Sequence, residues 1–282
     1  MSVYKRSYRR YVGPITGQRA RFAALARYAA AEVWGSRITN VIFVLCMVPA
    51  LISMSVIYIM NNDVVRLLLS GGGGAAPKIA IDERFFFGML QAQCWPALIL
   101  TAWIGPRLVA GDLANDGLAT ILSHPISRVE YILAKLCVLA GFLSAVTWAP
   151  TLLLFLFQSY ISQQPWMFQN LHIALGLLAG SLVWIVLLSL LALALSSWAR
   201  WRIVATGLIF AAVFVPAGVG SVFNAVMRTN WGNLINIPSM MNTLWRRALQ
   251  VTLPAFMTRN ELPTIPILGA RACMCVLCGM AL

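Results

Sequence analysis

The sequence predicts an all-α membrane protein of six spans, and three observations lead there. Hydrophobic residues make up 60% of the 282 and charged residues only 10%, whereas soluble globular chains run nearer ~25% charged. The apolar residues also fall in blocks long enough to supply the roughly 20 residues of helix that a bilayer core requires. Finally, those blocks lack the residue-by-residue alternation of a transmembrane strand, which excludes a barrel. The mean hydropathy of +0.81 belongs to the same picture.

The net charge of +13 would suit a nucleic-acid binder if it were spread over a surface, but it is concentrated. Lys5, Arg6, Arg9, Arg10, Arg19, Arg21, Arg27 and Arg37 all precede the first span, against the single acid Glu32. Such a cluster holds the amino terminus on the cytoplasmic side and attracts anionic lipid headgroups. No nucleic-acid partner is expected, and membrane lipids are. Cys46, Cys94, Cys137, Cys273, Cys275 and Cys278 lie inside apolar runs, so they outline no disulfide framework. The first apolar run is long enough to span and has no small-residue cleavage site after it, so it reads as a retained anchor.

Two parts follow: a basic tail with an interfacial helix over 1–37, and a transmembrane domain over 38–282. Residues 1–17 are basic and aromatic, with Gly13, Pro14 and Gly17 near their end. From 18 to 37, Phe22, Leu25, Ala29 and Val33 recur at helical spacing with Arg19, Arg27 and Glu32 off that face. This predicts an amphipathic helix in the headgroup layer. Span one covers about 38–60 and is kinked by Pro49. A loop with Gly71 to Gly74 leads to span two, about 85–109, whose Gln91, Gln93 and Pro96 exceed the polarity of a lipid-facing helix. Both amides are expected to face other helices or a substrate pathway.

Spans three and four fall at about 136–157 and 171–195. Gly176 and Gly180 in span four form a small-x-x-x-small pair suited to close helix packing. Arg200 and Arg202, interleaved with Trp198 and Trp201, keep the next turn inside. Span five, about 203–222, is loosened by Pro216, Gly218 and Gly220. The semi-polar stretch 223–264 holds a candidate short helix at 242–251, and a final run, 265–282, supplies span six.

Between spans two and three lies the stretch on which function turns. Residues 107–135 are polar, carry three acids against three bases, and are punctuated by Gly117 and Pro125. Residues 112–123 read as a short helix with Leu113, Leu118, Ile121 and Leu122 as its apolar positions. Pro125 ends it, since proline lacks the donor and pushes His124 out of helical geometry. Ser127 then stands at an N-cap position with Glu130 three residues on, a capping box that opens the next helix.

This stretch resembles the first cytoplasmic loop of ABC transporter membrane subunits of the type-2 permease family. Asp112, Leu113, Asn115, Ser123, Pro125, Ile126, Ser127, Arg128, Tyr131 and Lys135 are in step with the family pattern. His124 stands where Arg is usual and Ala134 where Gly is usual. Ala26-Arg27 with Ser36-Arg37, and the run S-S-W-A-R-W-R before span five, are similar to family elements as well. The resemblance implies a coupling helix that docks on a separate ATP-binding cassette subunit. Its contacts would come from Asp116, Leu118, Ile121, Leu122, Ser123, His124, Pro125, Ser127 and Arg128. It also implies a second permease subunit, identical or different, with ATP and Mg held by the partner rather than by this chain. The expected setting is the inner membrane of a bacterium. The family continues past its sixth span into an Arg-rich end, whereas here Arg271 lies inside the last run and no basic tail follows. That difference predicts a truncated or frame-altered terminus and a weak sixth span.

The remaining chemistry is consistent with a transport subunit that is not itself an enzyme. There is no phosphate loop of the G-x-x-x-x-G-K-[ST] type and no H-E-x-x-H. His124 and His172 are placed on opposite sides of the membrane. Cys273-x-Cys275-x-x-Cys278 could offer thiolates to a soft metal, but apolar helical cysteines are the commoner meaning of such a run. None of the eight acids falls in the middle of a span, where an ion-coupled carrier places them. Energy must then come from outside the chain, or the chain conducts or scaffolds without it. The residues favour an ATP-driven exporter, with an energy-independent scaffold or channel-like subunit as the alternative. Lipid, drug, polysaccharide, peptide and ion all suit the apolar pathway.

Overall fold

A computed structural model describes residues 17–62, 64–65, 80–114, 127–162, 166–199, 201–228 and 230–251. Among these residues the structure is helical, with no strand. The helices are α1 (Gln18–Trp34), α2 (Arg37–Cys46), α3 (Val48–Asn61), α4 (Glu83–Leu108), α5 (Ala110–Ala114), α6 (Arg128–Val146), α7 (Trp148–Ile161), α8 (Trp166–Gln169), α9 (Leu171–Trp198), α10 (Arg202–Met227) and α11 (Ile237–Ala248). A short 3-10 turn, Trp231–Leu234, precedes α11.

Five helical stretches are long and apolar enough to cross a membrane: Arg37–Asn61, Glu83–Asp112, Arg128–Ile161, Leu171–Trp198 and Arg202–Met227. This is the architecture of a multi-pass helical membrane protein. The expected sixth span, 265–282, lies outside the described residues, as do the tail 1–16 and the cysteines at 273, 275 and 278. The observed spans overrun their expected limits at several ends, because helix continues past the apolar core wherever caps and polar partners satisfy it. The third is the largest case: it starts at Arg128 rather than near 136, since the capping box at Ser127 sets the start.

Two spans break where proline withdraws an amide donor. Pro49 cannot bond the Leu45 carbonyl, and the helix pauses at Met47 before α3 resumes with Pro49 in its first turn. Pro150 likewise leaves the Val146 carbonyl without its usual partner, and the chain turns at Thr147, whose hydroxyl donates to the Leu143 carbonyl at 2.8 Å. Pro96, Pro106 and Pro216 sit inside α4 and α10 without ending them.

Burial sets the arrangement. More than half of the apolar window is buried in α4 and in α9, but less than a quarter in the α2–α3 span and in α10. The two central helices run parallel: Leu90 lies near Gly180 at one level, and Gly105 near Ala192 some turns further on. A β-carbon on Gly105 would come within 2.8 Å of the Ala192 β-carbon, so close backbone approach sets this packing. The core between them contains Phe86, Leu98, Leu100, Ile104, Leu177, Trp184 and Leu188.

The α1 helix turns Ala29 and Val33 into that same core, so the apolar face expected against lipid packs on protein instead, chiefly on α6. Trp34 at its end stacks on Phe142 of α6 and meets Phe43 of α2 edge-on, both at 5.5 Å between ring centres. The expected helix at 242–251 begins earlier, at Ile237, where the Asn236 side chain accepts from the Ser239 amide at 3.1 Å. It docks across the small-residue pair of α9. The Trp245 indole donates to the Gly180 carbonyl at 2.9 Å, and β-carbons on Gly176 and Gly180 would collide with Ala248 and Trp245.

Candidate functional site

The candidate site is a polar belt at the end of the bundle where α1, α2, α5, α6 and α10 meet. It starts from the chain's own geometry. Helix α4 runs out into α5, bringing Asp112 to the edge of the apolar core, and α6 re-enters with its first turn capped. Ser127 Oγ accepts from the Glu130 amide at 3.2 Å, while Glu130 Oε2 accepts from the Ser127 amide at 2.9 Å. With its start fixed, α6 presents Tyr131 and Lys135 on one face, four residues apart.

Both of those side chains converge on Asp112. The Tyr131 hydroxyl donates to Asp112 Oδ2 at 2.6 Å, and Lys135 Nζ lies 3.0 Å from the same oxygen. Lys135 is only 4% exposed, so this pair is largely shielded from solvent. Its ammonium also lies 5.5 Å from the centre of the Tyr131 ring. Together they tie the end of α5 to the first two turns of α6.

A second set of contacts joins this belt to the first span. Arg107 Nη1 donates to Ser36 Oγ at 2.8 Å and to Thr39 Oγ1 at 3.2 Å. Its guanidinium lies 4.6 Å from the centre of the Trp103 ring, a cation–π geometry. The Trp103 indole donates to Thr39 as well, at 3.2 Å. Arg202, the first residue of α10, brings Nη2 to 2.8 Å from where a β-carbon on Gly111 would stand. Glycine is therefore what allows a guanidinium against this backbone. The starts of the first, third and fifth described spans and the end of the second thus touch the belt or lie one helical turn from it.

Of the expected docking residues, Ser127 and Arg128 are described. Ser127 is the N-cap, and Arg128 is exposed at the first position of α6. Asp116, Leu118, Ile121, Leu122, Ser123, His124 and Pro125 lie outside the described residues, as does most of the expected helix 112–123. The two glutamines are not brought together. Gln93 is fully buried among the central helices while Gln91 is exposed. Both amide atoms of Gln93 are without a hydrogen-bond partner. Interpolating from Leu90 beside Gly180 places Gln93 at the level of Trp184, whose indole nitrogen is also without one.

Sequence reasoning placed Asp112, Tyr131 and Lys135 in the family pattern and Arg202 in the turn before span five, but gave none of them, nor Arg107, a role in the site. The signal was available: each is polar at the limit of an apolar run, and Tyr131 and Lys135 share a helix face. Among the described residues no group of three metal-ligating side chains occurs. What the arrangement does physically is join the end of α5 to the first two turns of α6 through the Asp112 carboxylate. No protein-family model matches the chain, and no curated protein does.

Proposed function

We propose that this chain is the membrane-spanning permease subunit of an ATP-driven ABC transporter, an exporter, resident in a bacterial inner membrane with its amino terminus in the cytoplasm. A separate ATP-binding subunit, holding ATP and Mg, engages the loop 111–130, and a second permease subunit completes the pathway. The observation that carries this reading is the tie of Asp112 to both Tyr131 and Lys135. A loop that receives force is useful only if both of its stems move with it, and a buried ion pair at its base supplies that stiffness.

Two further features support it. The basic residues before Arg37 favour a cytoplasmic amino terminus, which puts the loop on the side where ATP is found. The exposed Arg128 stands at the loop's return, open to a partner surface. In this mechanism the ATPase states differ in their contacts with the loop, and that difference drives the spans, as any ligand-driven change requires. The rival reading, a scaffold or channel-like subunit without energy coupling, expects the loop to tolerate substitution.

A photo-cross-linking residue introduced at Leu122, in cells of the source organism, tests the contact directly. The proposal expects a covalent adduct with a nucleotide-binding polypeptide. An adduct with lipid alone, or with none but a second copy of this chain, contradicts it.

A further inference from the structure

A cleft of about 320 Å³ opens beside the belt, lined by Glu32 and Ser36 from α1 and the turn after it, Arg107 from α4, and Arg202 from α10. That volume is at the small end of the roughly 300–1,000 Å³ typical of ligand pockets. We propose that this cleft binds a phosphate group, carried by the headgroup of an anionic lipid or present as free inorganic phosphate. The inference is independent of the transport reading.

Two guanidinium groups, those of Arg107 and Arg202, stand on the wall of the cleft. Each arginine presents five N–H donors in a planar fork that matches phosphate oxygens, and the charge-assisted bonds so formed are the strong ones. Arg107 is held in place by Ser36, Thr39 and the Trp103 ring, and the two serine and threonine contacts engage only Nη1. Among the described residues its other donors meet no hydrogen-bond acceptor, and they face a ligand in this proposal. Arg202 lies over the bare backbone of Gly111. Among the described residues neither arginine is ion-paired with a carboxylate, Glu32 included.

Among the described residues, two cations against the one carboxylate leave the cleft net positive. Ser36 caps the start of α2 without bonding its first-turn amides, so the positive end of that helix adds to the same field. The location suits a headgroup: Arg37, Asp112 and Arg202 mark the limits of three membrane-length helices at this end. Glu32 on the wall further favours a ligand that carries a hydroxyl or ammonium beside its phosphate.

The test is native mass spectrometry of the full chain released from neutral detergent and titrated with dioctanoyl phosphatidylglycerol, dioctanoyl glycerol or inorganic phosphate. The proposal expects one saturable site for a phosphate-bearing probe and none for dioctanoyl glycerol. Arg202→Gln is expected to weaken that site about tenfold, the effect of losing one charge-assisted hydrogen bond. Gly111→Ala is expected to weaken it several-fold with the charge unchanged, because its β-carbon displaces the Arg202 guanidinium. Arg37→Gln, which removes an equal charge at the same end but outside the cleft, is expected to leave it within twofold. Saturation by the phospholipid alone assigns the site to a lipid headgroup; displacement of the lipid by inorganic phosphate assigns it to the free ion. Equal binding of dioctanoyl glycerol, equal weakening by Arg37→Gln and Arg202→Gln, or no saturable binding of either phosphate probe would overturn the proposal.

Discussion

Asp112→Asn is the sharpest perturbation of the belt, because it keeps the side chain's shape and an acceptor for Tyr131 while removing the charge opposite Lys135. Nζ and Oδ2 are 3.0 Å apart, and Coulomb's law at an effective dielectric of about 20 gives an attraction of ~5.5 kcal/mol before desolvation is subtracted. Removing one partner of a buried pair costs about 3–5 kcal/mol, much of it the penalty on the charge left behind. Lys135 has a flexible stem and sits near a helix end, so it can extend toward the headgroups and recover part of that cost. The expected loss is therefore about 3 kcal/mol. It is read by reversible unfolding of detergent-solubilised protein, in a cycle with Lys135→Met. The double variant, with both charges gone, is expected to recover at least half of the loss shown by Asp112→Asn alone. Losses that add within ~0.5 kcal/mol would show the two residues to be uncoupled, and the idea of a stiff loop base would fail with them.

Two other perturbations probe the central helices. Gly180→Ala puts a β-carbon 2.6 Å from Trp245 Cδ1, so it is expected to displace the indole, break its bond to the Gly180 carbonyl and cost about 1–3 kcal/mol. Gly207→Ala, where nothing lies within 4 Å, should be neutral or slightly stabilising; equal unfolding midpoints for the two variants would contradict the packing of α11 on α9. Gln93→Leu replaces a fully buried amide without partners and is expected to leave stability unchanged or raise it by up to ~2 kcal/mol. A loss above ~1 kcal/mol in the same unfolding assay would mean that the amide is satisfied in the membrane, by water or by substrate.

The spans were legible because a bilayer imposes a length on apolar helix that few other constraints imitate, and the capping box at Ser127 was legible because it is a local contact. Prolines were less so. Pro49 and Pro150 interrupt their helices, yet Pro96, Pro106 and Pro216 do not, and only the packing of neighbouring helices separates these cases. The glutamines show a different limit. Residues two apart on a helix point about 200° apart, so Gln91 and Gln93 could not both face inward, and helical geometry alone would have required a choice. The Asp112–Lys135 pair was illegible for a plainer reason: its partners are joined only through the folded hairpin. Likewise Arg202 reaches Gly111 from a distant part of the chain, by way of helix packing.

On the proposed function, this chain is driven by a separate ATPase through the residues between its second and third spans. The most direct measurement is a mild-detergent pull-down of tagged protein from the source organism, assayed for ATP hydrolysis and for a co-purifying nucleotide-binding subunit. An Arg128→Glu and Leu122→Asp double variant runs beside the wild type, with matched membrane levels of the two proteins. An ATPase is expected to be recovered with the wild type and lost from the variant. An absence of any ATPase partner, or equal recovery with both proteins, would contradict it.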